Sequence, residues 1–320
     1  MPAHDLRPGD LGTFRFGART IRAPRLGLVL LLGVGCSPGP APSTQDEPKT
    51  LWASGGFACL EQDHWFDCRL LDYFIADHGQ AAVPDEQLAD ISFSNEDTCI
   101  VTTEGTGSCF GGNANHNDEI PDGAWTMVSQ GAGQACGLHP DGSVECWGNG
   151  AEGAVVPAGP FVEVRSLDAG ACGRDAQGTI TCWGYDYQGN VKSPAGSWAS
   201  FIFPNSYLCM LDAAGKITCT GLDTVAGASI PSGEGYHSLT GGGYFACALN
   251  ADDRAMCWGD NSSGALNAPE DPFEQIAAGN YFTCGLRKDG TVSCWGCREE
   301  DASDPERYCD WDNPAPWWVP

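Results

Sequence analysis

Seven times along the chain an apolar side chain stands eight residues ahead of a cysteine: Leu51, Ile91, Val128, Val164, Phe201, Leu239 and Ile276. Eleven residues ahead of it, five of the seven units carry an aromatic: Trp125, Phe161, Trp198, Tyr236 and Phe273. The apolar runs at these positions are short and bounded by turn formers, which predicts strands rather than helices. In the seventh unit, Phe273-Glu-Gln-Ile276-Ala reads as a first strand, and 284–287 and 291–295 read as a hairpin about Lys288-Asp289-Gly290. A three-residue connection with glycine in the left-handed position closes a type I turn with a G1 bulge. Five units carry that glycine, at Gly105, Gly142, Gly178, Gly215 and Gly290. The first unit lacks it and the sixth has Asp253 instead, so those two hairpins are expected to turn differently.

The cysteines keep the same register. Six pairs are each ten positions apart: Cys99 and Cys109, Cys136 and Cys146, Cys172 and Cys182, Cys209 and Cys219, Cys247 and Cys257, Cys284 and Cys294. Cys59 and Cys68 are nine apart. Successive first cysteines follow at intervals of 40, 37, 36, 37, 38 and 37 residues. A period in this range marks a solenoid, a propeller or an array. Counting back from the turn, which pairs Arg287 with Thr291, sets Cys284 opposite Cys294 in a non-hydrogen-bonded pair. Such a pair has Cα atoms about 4.5 Å apart, inside the roughly 4.4–6.8 Å that a disulfide spans. The spacing therefore suits a cross-strand disulfide in every hairpin, with reduced, buried cysteines as the alternative. Each short-loop bridge is worth about 2–3 kcal/mol in the chain-entropy account.

Three short strands cannot bury both faces of a sheet alone, so neighbouring units must stack. The expected fold is all-β, a seven-bladed β-propeller of repeats about 37 residues long, starting near 50, 88, 125, 161, 198, 236 and 273. Each blade is expected to use one contiguous repeat. Trp147, Trp183, Trp258 and Trp295, each followed by glycine after the second cysteine, are expected to pack between blades. The run FEQIAAGNYFTCGLRKDGTVSCWG (273–296) resembles a repeat of the regulator-of-chromosome-condensation family of seven-bladed propellers. The endings AVVP (154–157) and WWVP (317–320) resemble the compact, secreted bacterial β-lactamase-inhibitor branch. The resemblance covers roughly 49–320 and implies protein binding through loops, without naming a partner.

Composition agrees with a turn-rich β protein: Gly 43, Pro 21 and only 18% charged residues. The net charge of -26 repels nucleic acid. Ahead of the repeats, 1–25 carries five arginines and is followed by the ten-residue apolar run LGLVLLLGVG (26–35). Ten residues rise about 15 Å as a helix, half of a bilayer core. A basic region followed by a short apolar one reads as an export signal, 1–35. Leu32-Gly33-Val34-Gly35-Cys36 resembles a bacterial lipoprotein box, with Cys36 as the lipid anchor at the outer membrane or cell surface. Ordinary cleavage to a secreted or periplasmic product is the alternative. Residues 36–49 then form a Pro-rich tether. Removing 1–35 takes away five basic and two acidic residues and lowers the charge to -29.

Catalytic motifs are scarce. The mature histidines His64, His78, His116, His139 and His237 fall in five repeat contexts without ligand spacing. Cys297 and Cys309 are left to close an extra loop, which favours a disulfide over zinc at Cys294-Trp-Gly-Cys297. That loop carries Glu299, Glu300, Asp301 and Asp304, with Trp311 after it, and is the candidate partner-binding or Ca²⁺ contact. A second acidic stretch lies at 113–119. The expected function is a monomeric, non-enzymatic, envelope-anchored module that binds a protein partner through one propeller face. No cofactor, resident metal or nucleic acid is implied, and the membrane is met through the lipid alone. The alternatives are a lyase or glycoside-processing enzyme, which needs paired carboxylates on the central face, and a Ca²⁺-dependent adhesin.

Overall fold

The structure is a computed structural model. It describes residues 49–296 apart from 63–64, 71–82, 85, 95–96, 113–118, 152–153, 167–169, 185–191, 204–206 and 222–227. Cys36, Cys297, Cys309, Glu299, Glu300, Asp301, Asp304 and Trp311 lie outside the described residues, as do His64, His78 and His116.

Seven three-stranded antiparallel sheets follow one another in a propeller-like arrangement, each formed from three consecutive strands. The first strands are Lys49–Ser54, Leu88–Phe93, Met127–Gln130, Glu163–Ser166, Ser200–Ile202, His237–Gly241 and Gln275–Ala278. Blade 7 is completed by Phe282–Leu286 and Val292–Gly296. First strands contact one another between blades 1 and 2, 2 and 3, 3 and 4, 5 and 6, and 6 and 7, and that of blade 7 meets that of blade 1. The ring is thus closed without a shared strand. Side chains hold the seam: Gln275 accepts from Leu51 N (2.9 Å) and donates to Leu51 O (2.6 Å). Lys49 Nζ donates to Gly290 O at 3.2 Å.

Each hairpin sets its cysteines opposite one another, and a disulfide joins every pair. Cys59 is bonded to Cys68, Cys99 to Cys109, Cys136 to Cys146 and Cys172 to Cys182. Cys209 is bonded to Cys219, Cys247 to Cys257 and Cys284 to Cys294. Their Cα atoms lie 3.8–4.1 Å apart, closer than a free non-hydrogen-bonded pair, because the bond draws the strands together. The two members of a pair are not equivalent, although the spacing treats them alike. The first cysteine of every pair is wholly buried on the middle strand. Cys68, Cys109, Cys146, Cys182, Cys219 and Cys257 are only half-buried, because the third strand is the edge of its sheet. Cys294 is buried like the first cysteines.

The cores lie between blades. Cys136 and Leu138 of blade 3, for example, pack with Phe161, Val164, Ala171 and Trp183 of blade 4. All four tryptophans of the Trp-Gly pairs are buried in this way. No described helix is long and apolar enough to cross a membrane.

Two local expectations are corrected. Phe273 precedes the first strand of blade 7 rather than opening it. Its N–H donates to Asp253 O (2.8 Å), and the equivalent aromatics Trp125 and Phe161 bond to Gly105 O and Gly142 O in the same way. The ring then lies over Gly285, where a Cβ would come within 2.4 Å of it. The aromatic is a latch between consecutive hairpins. The second correction concerns Asp253, which turns as the glycines do, at φ 61°. Asp253 N donates to Asn250 O and Asn250 N to Arg254 O, both at 2.9 Å, matching the bonds around Gly290. Asn250 Oδ1 adds bonds from the Asp252 and Arg254 amides, 3.0 Å each. Asp is among the few L residues that enter the left-handed region. The first hairpin does differ: its pairing runs to Gln62↔Trp65, which leaves a two-residue connection.

Candidate functional site: the axial cavity and its mouth

A three-stranded blade leaves the outer edge of its first strand without a backbone partner, and buried N–H groups must be satisfied somewhere. Here the preceding blade supplies side chains for them. Val128 N donates to Asp90 Oδ2 (2.8 Å) and Gln130 N to Ser92 Oγ (2.9 Å). Ser166 N donates to Ser129 Oγ (2.9 Å) and Ala278 N to Thr240 Oγ1 (3.0 Å). These capping residues stand nine or seven positions ahead of their cysteine, as Gln275 does at the seam. The sequence reading followed the apolar residue between them and missed the alternating polar ones.

The first strands of all seven blades enclose a cavity of about 580 Å³. Hydroxyls, amides and small residues form most of its wall. Among the described residues that line it, Asp90 and Arg165 are the charged ones. Asp90 is 9% exposed. Burial pushes its carboxyl up to about 6, against the pull of the Val128 N–H and the Arg165 charge. Arg165, with a side chain 40% exposed, donates to Glu163 Oε1 from Nε (3.2 Å) and Nη2 (3.0 Å). Arg174 Nε holds the other Glu163 oxygen at 2.9 Å. Gln130 is 8% exposed, and its Nε2 donates to Cys99 Sγ at 2.9 Å. Its Oε1 has no hydrogen-bond partner among the described residues.

The turns after the first strands form the mouth. In three blades they interlock through backbone: Gly243 N donates to Asn280 O (2.9 Å) and Asn280 N to Gly55 O (2.7 Å). Gly279 is held so closely that a Cβ would meet Gly55 O at 2.6 Å. The wholly buried Tyr207 of blade 5 secures the arc, its hydroxyl 2.5 Å from Phe245 O and 2.9 Å from Gly242 O. Burial drives that hydroxyl's pKa upward, so it stays a donor. Tyr244 (43% exposed) and Tyr281 occupy the same repeat position, three residues ahead of the cysteine, and both line the cavity.

The other residues singled out in the sequence lie away from this site. The disulfide cysteines brace the blades behind the wall and do not line the cavity: neither Cys59, Cys99 and their middle-strand equivalents nor Cys68, Cys109, Cys146, Cys182, Cys219 and Cys257 reach it. Their part is structural. His139 and His237 sit by the hairpin turns, against Glu145 (3.5 Å) and Asp253 (3.4 Å) respectively. Among the described residues no three His, Cys, Asp or Glu side chains converge as a metal site would require.

Residues 236–265 and 273–299 match the Regulator of chromosome condensation (RCC1) repeat. These are the sixth and seventh repeats, and the chain carries an RCC1-like propeller fold. The ectodomain of the Physcomitrella patens receptor kinase CR4 superposes with a TM-score of 0.64 at 22% identity, covering 78% of this chain and 73% of that one. The CRINKLY WD40 ectodomain of the Arabidopsis thaliana receptor kinase ACR4 gives 0.62 at 20% identity, over 78% and 94%. Yeast RCC1 (Prp20), in a structure bound to Kap60, gives 0.53 at 12% identity, over 63% and 68%. No curated protein matches the sequence.

Proposed function

We propose that this chain is a non-enzymatic interaction module, exported from a bacterial cell and tethered to its envelope through Cys36. In this reading it works as a monomer and binds a protein partner on the face that carries the cavity mouth. Its compact repeats and the endings AVVP and WWVP resemble the secreted bacterial β-lactamase-inhibitor branch of these propellers. The observation that carries the reading is the arc of blades 6, 7 and 1. Its turns are tied to each other by backbone bonds and present Tyr244 and Tyr281 at the rim. Pre-organised aromatics on a rigid scaffold bind with little ordering cost. The hairpin turns at the other end spend their polar groups on themselves, as Asp141 does on Ser143 and Asp289 on Thr291. Seven disulfides suit an oxidising compartment outside the cytosol. Receptor ectodomains of the same fold are consistent with an interaction role.

The acidic loop with Glu299, Glu300, Asp301, Asp304 and Trp311, which follows the last strand of blade 7 in sequence, is a second candidate for the partner contact. The test is affinity capture from envelope extracts by the oxidised chain and by a double variant, Tyr244→Ala with Tyr281→Ala. A partner retained by the wild type and lost by the variant supports the reading. Equal retention by both removes the mouth from it.

A further inference from the structure

We propose that the propeller parts between blades 4 and 5, which gives the axial cavity a lateral entrance beside Arg165. Three kinds of tie recur between blades, and the repeat positions that supply them fail together at this seam. The first is a hydroxyl seven residues ahead of the cysteine. Ser92, Ser129 and Thr240 stand there and accept from the next blade, from Gln130 N, Ser166 N and Ala278 N respectively. In blade 4 the position is Arg165, which has donors alone and cannot accept from Phe203 N. The second is an acceptor nine residues ahead, as Asp90 is for Val128 N and Gln275 for Leu51 N. Blade 4 has Glu163 there, but Arg165 Nη2 (3.0 Å) and Arg174 Nε (2.9 Å) draw its two oxygens onto blade 4 itself. The third is a side chain two residues ahead that reaches across the mouth. Gln134 Nε2 of blade 3 donates to Gly170 O of blade 4 (2.8 Å), and the Tyr207 hydroxyl of blade 5 donates to Phe245 O of blade 6 (2.5 Å). Blade 4 has Gly170 at that place, with no side chain to send to blade 5.

Blade 4 is thus tied to blade 3, and blade 5 to blade 6. The first strands of blades 4 and 5 are also not among those that pack on one another. What joins these two blades lies further from the axis. Cys172 and Ile180 pack with Phe201, Phe203, Leu208 and Met210. At the hairpin-turn end, Trp198 N donates to Gly178 O (2.9 Å) and Ser197 Oγ to Gln177 O (2.7 Å). A joint latched at one end and lacking its usual polar ties at the other hinges on the latch. Local opening concentrates where such ties are fewest. Arg165 and Ser166 line the cavity on one side of the seam, Ile202 and Phe203 on the other, so parting there opens the cavity sideways. The seam between blades 7 and 1 shares no strand either, yet Gln275, Lys49 and Asn280 all bond across it.

The test is native-state hydrogen exchange on the full oxidised chain. Ile202, Ser129 and Ala277 hold equivalent places in blades 5, 3 and 7, opposite Cys209, Cys136 and Cys284. Their amides point into their own sheets, so each reports the opening of its first strand. The Ile202 amide should exchange roughly tenfold faster, or more, than those of Ser129 and Ala277. Arg165→Ser restores the hydroxyl of the other blades and should slow Ile202 by about tenfold, the worth of one hydrogen bond, with Ser129 unchanged. Arg165→Ala removes the same charge without supplying an acceptor and should not slow it. Equal exchange at the three amides in the wild type would overturn the proposal. Equal slowing by serine and alanine would overturn it as well, because the missing acceptor would then not be what leaves the seam free.

Discussion

Replacing Asp90 with Asn should stabilise the protein at neutral pH and leave it unchanged in acid. In the folded chain the carboxyl titrates at about 6, against an ordinary value of 3.8, and burial is the main cause. A carboxyl whose pKa is raised by folding stabilises the fold when protonated. That contribution is complete below about pH 4, fades as pH rises through 6, and is absent above it. At 1.36 kcal/mol per unit, the difference of roughly two units makes the ionised carboxylate cost about 3 kcal/mol at pH 7.5. Asparagine removes the charge and keeps an oxygen for Val128 N, so most of that cost should be recovered. The assay is urea unfolding of wild type and Asp90→Asn with disulfides intact, at pH 7.5 and pH 3.5. The variant should gain about 2–3 kcal/mol at pH 7.5 and nothing measurable at pH 3.5. Equal differences at the two pH values would refute the burial argument. A loss at pH 7.5 would show that the negative charge on the Val128 amide outweighs desolvation.

At the sixth hairpin, Asp253→Ala should destabilise by about 1 kcal/mol relative to Asp253→Gly, because alanine meets the left-handed penalty in full; parity in denaturant titration would contradict the turn. Gln275→Ala should open the seam between blades 7 and 1, cost about 1–3 kcal/mol, and speed hydrogen exchange at the Leu51 amide ahead of amides in blades 3 and 4. Thiol titration of the unfolded, unreduced protein should find no free thiol from Cys59 to Cys309; four or more would overturn the staple framework. Cys36→Ser should move the protein from the membrane to the soluble fraction, and unchanged fractionation would remove the lipid anchor.

The repeats were legible because one geometric demand recurs. A cross-strand disulfide needs opposed cysteines, and a fixed turn converts that need into a fixed spacing, so Cys284 and Cys294 could be paired on paper. The tryptophans were legible for a similar reason, since a large apolar group at a constant place in a stacked unit has only the interface to fill. Asp253 was misjudged because a glycine rule was applied where the need is for a left-handed residue, which Asp supplies with help from the Asn250 side chain. The site was harder to see. Asp90, Gln130 and Arg165 come from three different repeats and from three different positions within them. No window of sequence brings them together; the stacking of blades 2, 3 and 4 does. The signal for Asp90 lay in the polar residues that alternate with the apolar positions, such as Ser92, Ser129 and Gln275, whose identity varies from blade to blade because any acceptor can cap an amide.

That variation bears on why Asp90 is an acid at all. The same repeat position is Gln275 in blade 7, where a neutral amide caps Leu51 N at 2.9 Å. In blade 3 it is Met127, whose sulfur lies 3.5 Å from Val164 N. The architecture therefore accepts a neutral cap, or a weak one, at this place. A buried carboxylate there is the costly option, and packing alone supplies no reason for it. Gln130, one blade further on, keeps a buried oxygen without a partner among the described residues, as does Gln134 away from the cavity. Sites that cost folding energy are where function is expected to lie.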